Sequence, residues 1–165
     1  QGRRPIYFGL NEEFPLYADE IESKGLKGIA CRIHTPKGTF SVVVPIPGHH
    51  MVYNALAGTA VGLAYGMELS EIQKGIESLQ SLSGRFHIIE NEKYTIVDDC
   101  YNANPMSMKA SLGILKDAMG RKVAILGDMG ELGENEKELH REVGTFAGNC
   151  GIDLMIGGYD MESKE

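Results

Sequence analysis

Apolar and polar positions change rhythm twice along the chain. Up to about residue 47 the apolar positions come in short runs separated by turn formers. Arg4-Pro5-Ile6-Tyr7-Phe8-Gly9 reads as a short strand ending at glycine. Gly28-Ile29-Ala30-Cys31-Arg32-Ile33-His34-Thr35 alternates apolar and polar residues, as a half-buried strand does. Pro36-Lys37-Gly38 is a turn signal, and Thr39-Phe40-Ser41-Val42-Val43-Val44-Pro45 is the returning strand, so a hairpin is expected. From 48 to 65 the chain is rich in Ala, Leu and Val at a helical period. Ser70 is placed to cap a second helix that runs through Glu71, Ile72 and Ile76 to about Leu79, and Gly84 ends it. Beyond Gly84 the order becomes strand (86–90), strand (94–98), helix from Pro105 to about Met119, strand (123–127), helix (136–149), strand (154–157). Proline fits the first turn of a helix, where its missing N–H costs nothing. The apolar run Val123-Ala124-Ile125-Leu126 suits a buried parallel strand. Strands alternating with helices imply crossovers, hence an α/β fold with a doubly wound, mostly parallel sheet. Two clear crossovers are few for such a sheet, and the N-terminal strands show no obvious core of their own. Both ends are therefore expected to be cut short, the C-terminal one after a further turn at residues 161–165.

Composition narrows the class. The 165 residues are 42% hydrophobic and 24% charged, ordinary for a globular protein. No apolar run reaches the ~18–20 residues of a membrane span, and no leader pattern opens the chain. The net charge of −7 comes with no basic patch, which argues against nucleic acid as a partner. Any anionic ligand must be held by local donors. Three widely spaced cysteines, Cys31, Cys100 and Cys150, suggest reduced thiols rather than a disulfide framework or a zinc site. The glycines, 21 in all, show no period.

Four segments carry candidate chemistry. His50 and Asn54 are four apart and share a helix face; on an apolar helix they either bond to neighbouring backbone, which the spacing favours, or face a ligand such as a base. Arg85 follows Ser83-Gly84 at the expected junction and either lies on the surface or forks onto phosphate or carboxylate oxygens. Asp98-Asp99-Cys100-Tyr101-Asn102-Ala103-Asn104-Pro105-Met106-Ser107-Met108 runs from a strand's carboxyl end into a helix. That is where open α/β sheets bind ligands, and a helix start favours anions. Gly127-Asp128-Met129-Gly130-Glu131-Leu132-Gly133 occupies the same kind of place, its carboxylates either facing a cleft or capping the next helix. His34, His87 and His140 stand alone in the sequence, with no metal-ligand spacing among them.

Pro47-Gly48-x-His50-x-x-x-Asn54-Ala55-Leu56-Ala57, then Gly84-Arg85, then Asp98-Asp99 at a strand end, is similar to the Mur ligases. Within that family the 99–108 and 127–133 motifs resemble those of the member that joins D-alanyl-D-alanine to UDP-N-acetylmuramoyl-tripeptide. The resemblance covers residues 45–157 or so. It implies a monomeric cytoplasmic enzyme of peptidoglycan precursor synthesis, dependent on ATP and Mg2+, forming an amide through an acyl phosphate. Neither membrane nor nucleic acid is expected as a partner. It further implies that residues 1–82 are the C-terminal part of a central ATP-binding domain and 83–165 the first part of a Rossmann-like C-terminal domain. By the same resemblance, His50, Asn54, Arg85, Asp99 and Tyr101 meet the nucleotide: the first two the adenine, Arg85 the phosphates, Asp99 the ribose. Related ligases place a lysine at the position of Tyr101. Asn102, Asn104, Pro105, Ser107 and Met108 meet the peptide substrate or the incoming dipeptide. Met51 departs from the asparagine usual after the histidine. The chain holds no G-x-x-x-x-G-K-[ST], so the phosphate cradle, the metal ligands and a catalytic lysine are expected upstream, and these residues alone are expected to be inactive.

Overall fold

The computed structural model describes residues 5–158. The chain divides into two compact units, Gln1–Gln80 and Ser81–Glu165. The turn expected at residues 161–165, and Arg4 of the first expected strand, lie outside the described residues.

The first unit is a four-stranded sheet in the order β1 (Phe8–Gly9), β2 (Leu16–Ser23), β3 (Ile29–Thr35), β4 (Gly38–Val44), with two helices, α1 (His50–Ala64) and α2 (Leu69–Glu77). The expected hairpin is β3–β4, in register from Ile29 opposite Val44 to Thr35 opposite Gly38. Its inward residues Ile29, Cys31, Ile33, Val42 and Val44 join Leu16 and Ala18 of β2, Val52, Ala55 and Leu56 of α1, and Ile72 and Ile76 of α2 in one buried core. The N-terminal strands therefore do have a core, made complete by helices that follow them in sequence. β2 was not legible beforehand, because only Leu16 and Ala18 of its eight residues are buried and the rest reads as a charged loop. It also carries an irregularity between Asp19 and Glu22, where Glu20 has φ 48°. The expected strand before Gly9 is shorter than read, β1 holding Phe8 and Gly9 alone.

Ser70 does not cap α2. Glu68 does, in extended conformation, and Glu71 Oε2 accepts the Glu68 amide at 2.9 Å. That reciprocal arrangement lets two acidic residues satisfy amides at a helix start, where the dipole also favours them. The helix ends at Glu77, two residues before the expected limit.

In the second unit β5 (His87–Glu90) and β6 (Thr95–Asp98) pair antiparallel around a turn in which Asn91 Oδ1 accepts the amides of Lys93 and Tyr94. So tight a connection permits no other pairing. α3 (Pro105–Lys116) leads to β7 (Val123–Leu126), and a crossover through α4 (Glu136–Asn149) returns parallel to it as β8 (Leu154–Gly157). A single turn of 3-10 helix, Gly133–Asn135, precedes α4. Leu112, Ala124, Met129, Val143, Ala147 and Cys150 form the core. The fold class is α/β. The parallel crossover expected of a Rossmann-like unit is β7–α4–β8, while β5–β6 forms a ladder of its own. Among the described residues no helix is long and apolar enough to cross a membrane.

Candidate functional site

The expected site residues lie in both units. In the first unit, α1 buries Met51, Val52, Ala55, Leu56 and Thr59 and leaves His50 and Asn54 exposed one turn apart. The internal bonding that the spacing favoured is not what is found. Neither side chain bonds to backbone; Asn54 Nδ2 lies 3.2 Å from Met51 Sδ, and the His50 ring folds back over Gly48. Gly48 has φ 114°, and a Cβ there would stand 2.5 Å from the imidazole, so glycine makes room for the ring. The helix's buried polar group is Thr59, satisfied by the Ala55 carbonyl at 2.8 Å.

The second unit joins two segments that the sequence shows as separate. At the end of β6, Asp98 Oδ2 accepts the Gly84 amide at 3.0 Å, Asp99 Oδ1 accepts the Phe86 amide at 2.9 Å, and Gly84 O accepts the Tyr101 amide at 2.9 Å. Two residues of this turn have left-handed backbone, Gly84 at φ 73° and Phe86 at φ 52°, and Phe86 is buried. Strain of this kind persists only where neighbours over-determine it, as these bonds do. Arg85, exposed between the two clamped residues, lays its guanidinium 3.9 Å from the centroid of the Tyr101 ring. The other oxygen of Asp99 accepts from Ser111 Oγ on α3. Asp99 is thus fixed in direction, yet a carboxylate takes about four hydrogen bonds, so it retains capacity for ligand hydroxyls.

The electrostatics follow this wiring. A hydrogen bond from the Cys100 thiol, then the Gly84 amide, holds the Asp98 carboxyl below the ordinary carboxylate range. The same contact with Asp98 pushes the Cys100 thiol up. Ser111 was not singled out from sequence, and Asp98 was read only as part of the strand-end run; their partners lie 14 and 12 residues away, and only the fold reveals the pairing.

Further along the loop the side chains turn to local work. Asn102 Oδ1 accepts the Ala103 amide. Asn104 caps α3, accepting the Met106 and Ser107 amides at 3.0 and 2.9 Å, while Ser107 Oγ accepts the Asn104 amide. Pro105 is the first helical residue, as expected. Met108 packs at the edge of the second core, whereas Met106 is exposed.

In the 127–133 run Met129 is buried, and Glu131 has φ 59°. Neither Leu132 nor Asn135, the residues at the N-cap positions of the 3-10 turn and α4, caps its helix through its own side chain. The histidines that stand alone in the sequence have partners in the fold. His34 bonds Asp19 at 2.9 Å and stacks on Tyr17, His87 lies 3.4 Å from Ser81 Oγ, and His140 meets Met129 and Glu136. All three cysteines are free thiols, Cys31 and Cys150 buried and Cys100 exposed. Among the described residues no cluster of His, Cys, Asp or Glu is fit to hold a metal ion.

Residues 84–156 match the model of the Mur ligase glutamate ligase domain. The chain is 35% identical over 149 residues to the UDP-N-acetylmuramoyl-tripeptide–D-alanyl-D-alanine ligase of Buchnera aphidicola subsp. Baizongia pistaciae, covering 90% of this chain and 32% of that one. It is 37% identical over 130 residues to the ligase of the same name from Escherichia coli, covering 78% of this chain and 29% of the other. A crystal structure of MurF from Acinetobacter baumannii superposes with a TM-score of 0.82 at 36% identity, over 91% of this chain and 32% of that one. The chain therefore spans about a third of the length of these relatives.

Proposed function

Because the chain belongs to the Mur ligase family, we propose that it is part of a cytoplasmic, monomeric enzyme that uses ATP to join D-alanyl-D-alanine to UDP-N-acetylmuramoyl-tripeptide in peptidoglycan precursor synthesis. ATP, when bound, would supply its γ-phosphoryl group to the substrate carboxylate with ADP leaving, and the dipeptide amine would attack the acyl carbon of the resulting acyl phosphate, losing a proton and expelling inorganic phosphate to give the amide. Such chemistry depends on positioning and charge neutralisation more than on covalent work by the protein.

One observation carries this reading: Arg85 is held on a turn whose backbone is clamped to Asp98 and Asp99 at the carboxyl end of β6. An exposed guanidinium on a rigid base suits phosphate oxygens. A carboxylate with both oxygens already oriented suits the paired hydroxyls of a ribose. In the first unit, the exposed face formed by His50 and Asn54 suits the edge of a base. Tyr101 belongs to the nucleotide side through its contact with Arg85. Asn102, Asn104, Pro105, Ser107 and Met108 are assigned to the peptide substrate or the dipeptide. This assignment rests on the resemblance of the 99–108 motif, since the Met106 and Ser107 amides at the start of α3 are already taken by Asn104.

The residues present fit the nucleoside and one phosphate contact. For Mg2+, the described residues offer no group of three or more His, Cys, Asp or Glu side chains fit to hold it. The test is ligation by the protein that carries this chain, with D-alanyl-D-alanine compared against single amino acids as acceptor. Preference for the dipeptide supports the reading; preference for a single amino acid makes this a ligase of another step.

A further inference from the structure

The 127–133 run leaves β7 at its carboxyl end and is tied to α4 by a side chain. The Met129 amide donates to His140 Nε2 at 3.2 Å. His140 Nδ1 lies 2.9 Å from the Glu136 carbonyl, one turn back on α4. An amide only donates and a carbonyl only accepts. Both contacts therefore demand the same state of the ring: the proton on Nδ1, a lone pair on Nε2, no net charge. Met129 itself is anchored, its side chain buried to 3% exposure in the second core. Two residues on, Glu131 takes φ 59°, a left-handed backbone that a residue with a side chain holds only when its surroundings impose it. The imidazole thus joins the loop after β7 to the first turns of α4.

We infer that His140 is a positioning residue: its neutral, Nδ1-protonated ring fixes the Met129 amide and thereby sets the left-handed turn that presents the Glu131 carboxylate beyond the end of β7. That Glu131 then faces the ligands of the ligation rests on the proposed function; the latch does not.

The experiment uses the uniformly 15N-labelled 165-residue chain near neutral pH, with no nucleotide or substrate present. Long-range imidazole 1H–15N spectra read the tautomer, and amide exchange reads the Met129 bond. His140 is expected to show the Nδ1–H pattern. His140→Phe keeps a ring but loses the acceptor. It is expected to speed exchange of the Met129 amide on the order of tenfold, the loss of one net hydrogen bond. It should also move the resonances of Gly130, Glu131 and Leu132 while those of β5 and β6 stay in place. His140→Gln keeps an acceptor oxygen at similar reach and is expected to restore both. A residue that only fills space would show the reverse, rescue by Phe and not by Gln. The inference is overturned if the ring is charged or carries its proton on Nε2, or if His140→Phe leaves Met129 exchange and the Glu131 resonance unchanged. Should His140→Phe not fold, the tautomer of the unaltered chain and the Gln variant decide the matter. None of these readouts depends on ligase activity, so failure of the latch and failure of the ligase reading are separable.

Discussion

At the scale of single residues, the account turns on what holds Arg85. The Tyr101 ring touches the guanidinium through its face, so the hydroxyl is dispensable. A cation–π contact at an exposed site contributes about 0.5–1 kcal/mol. Tyr101→Phe should therefore leave the KM for ATP of the parent ligase unchanged, and Tyr101→Leu should raise it about two- to fivefold. Equal effects of both variants would mean that the hydroxyl itself contacts ligand. The linked pair Asp98 and Cys100 gives a second prediction. Since the carboxylate holds the exposed Cys100 thiol protonated, Asp98→Asn should speed alkylation of Cys100 by iodoacetamide at neutral pH, followed by mass spectrometry. Slower alkylation would contradict the assigned contact. The sign with pH follows from the directions of the shifts. Asp98 is lowered from 3.8, so its bond to the Gly84 amide is present above that value and lost as pH falls through the lower folded value. Burial raises Cys31 from 9.0 to about 11, so the stability of its neutral thiol is full below 9.0 and lost as pH rises towards 11. Alkaline unfolding followed by circular dichroism should therefore show a loss over that range that Cys31→Ala lacks. Of these residues, Arg85, Asp99 and Tyr101 were named for a nucleotide through the family resemblance of their motif. What they do to one another was not, because each bond spans 12 to 17 residues and depends on how the 84–86 turn folds onto the end of β6.

At the scale of elements, backbone geometry decides. Gly28 immediately precedes β3 with φ 114°, and a Cβ there would stand 2.0 Å from the Val44 carbonyl oxygen, a backbone atom that cannot step aside. Gly25, at φ 62°, has nothing within 4 Å. Gly28→Ala should cost about 3 kcal/mol or prevent folding, against about 1 kcal/mol for Gly25→Ala, in urea unfolding. Similar costs would show that conformation, not the close approach, governs both sites. Asn104→Ala should cost about 1 kcal/mol by removing the acceptor for two amides at the start of α3. The elements most legible beforehand were those with a strong period or a strong stop: β3–β4 around Pro36-Lys37-Gly38, α1, α3 behind Pro105, and the β7–α4–β8 crossover. β2 was hidden because a strand that buries only two residues shows too few apolar positions to reveal its period. The cap of α2 was misplaced because serine is the commoner cap, while here an acidic pair at residues 68 and 71 satisfies the amides.

At the scale of the whole molecule, each unit encloses a core of its own. The first unit's core was not foreseen, since its strands come before the helices that cover them. The sequence has no phosphate-binding loop, so the 165 residues by themselves should release no phosphate from ATP, even with both substrates supplied. The most direct test of the central claim lies with the protein that carries this chain, assayed for phosphate release and product mass with ATP and UDP-N-acetylmuramoyl-tripeptide. D-alanyl-D-alanine should support turnover, D-alanine alone should not, and Arg85→Ala should lower kcat/KM for ATP at least tenfold, as expected for the loss of a charged phosphate contact. Turnover with a single amino acid in place of the dipeptide, or an Arg85→Ala enzyme with unchanged kcat/KM for ATP, would contradict it.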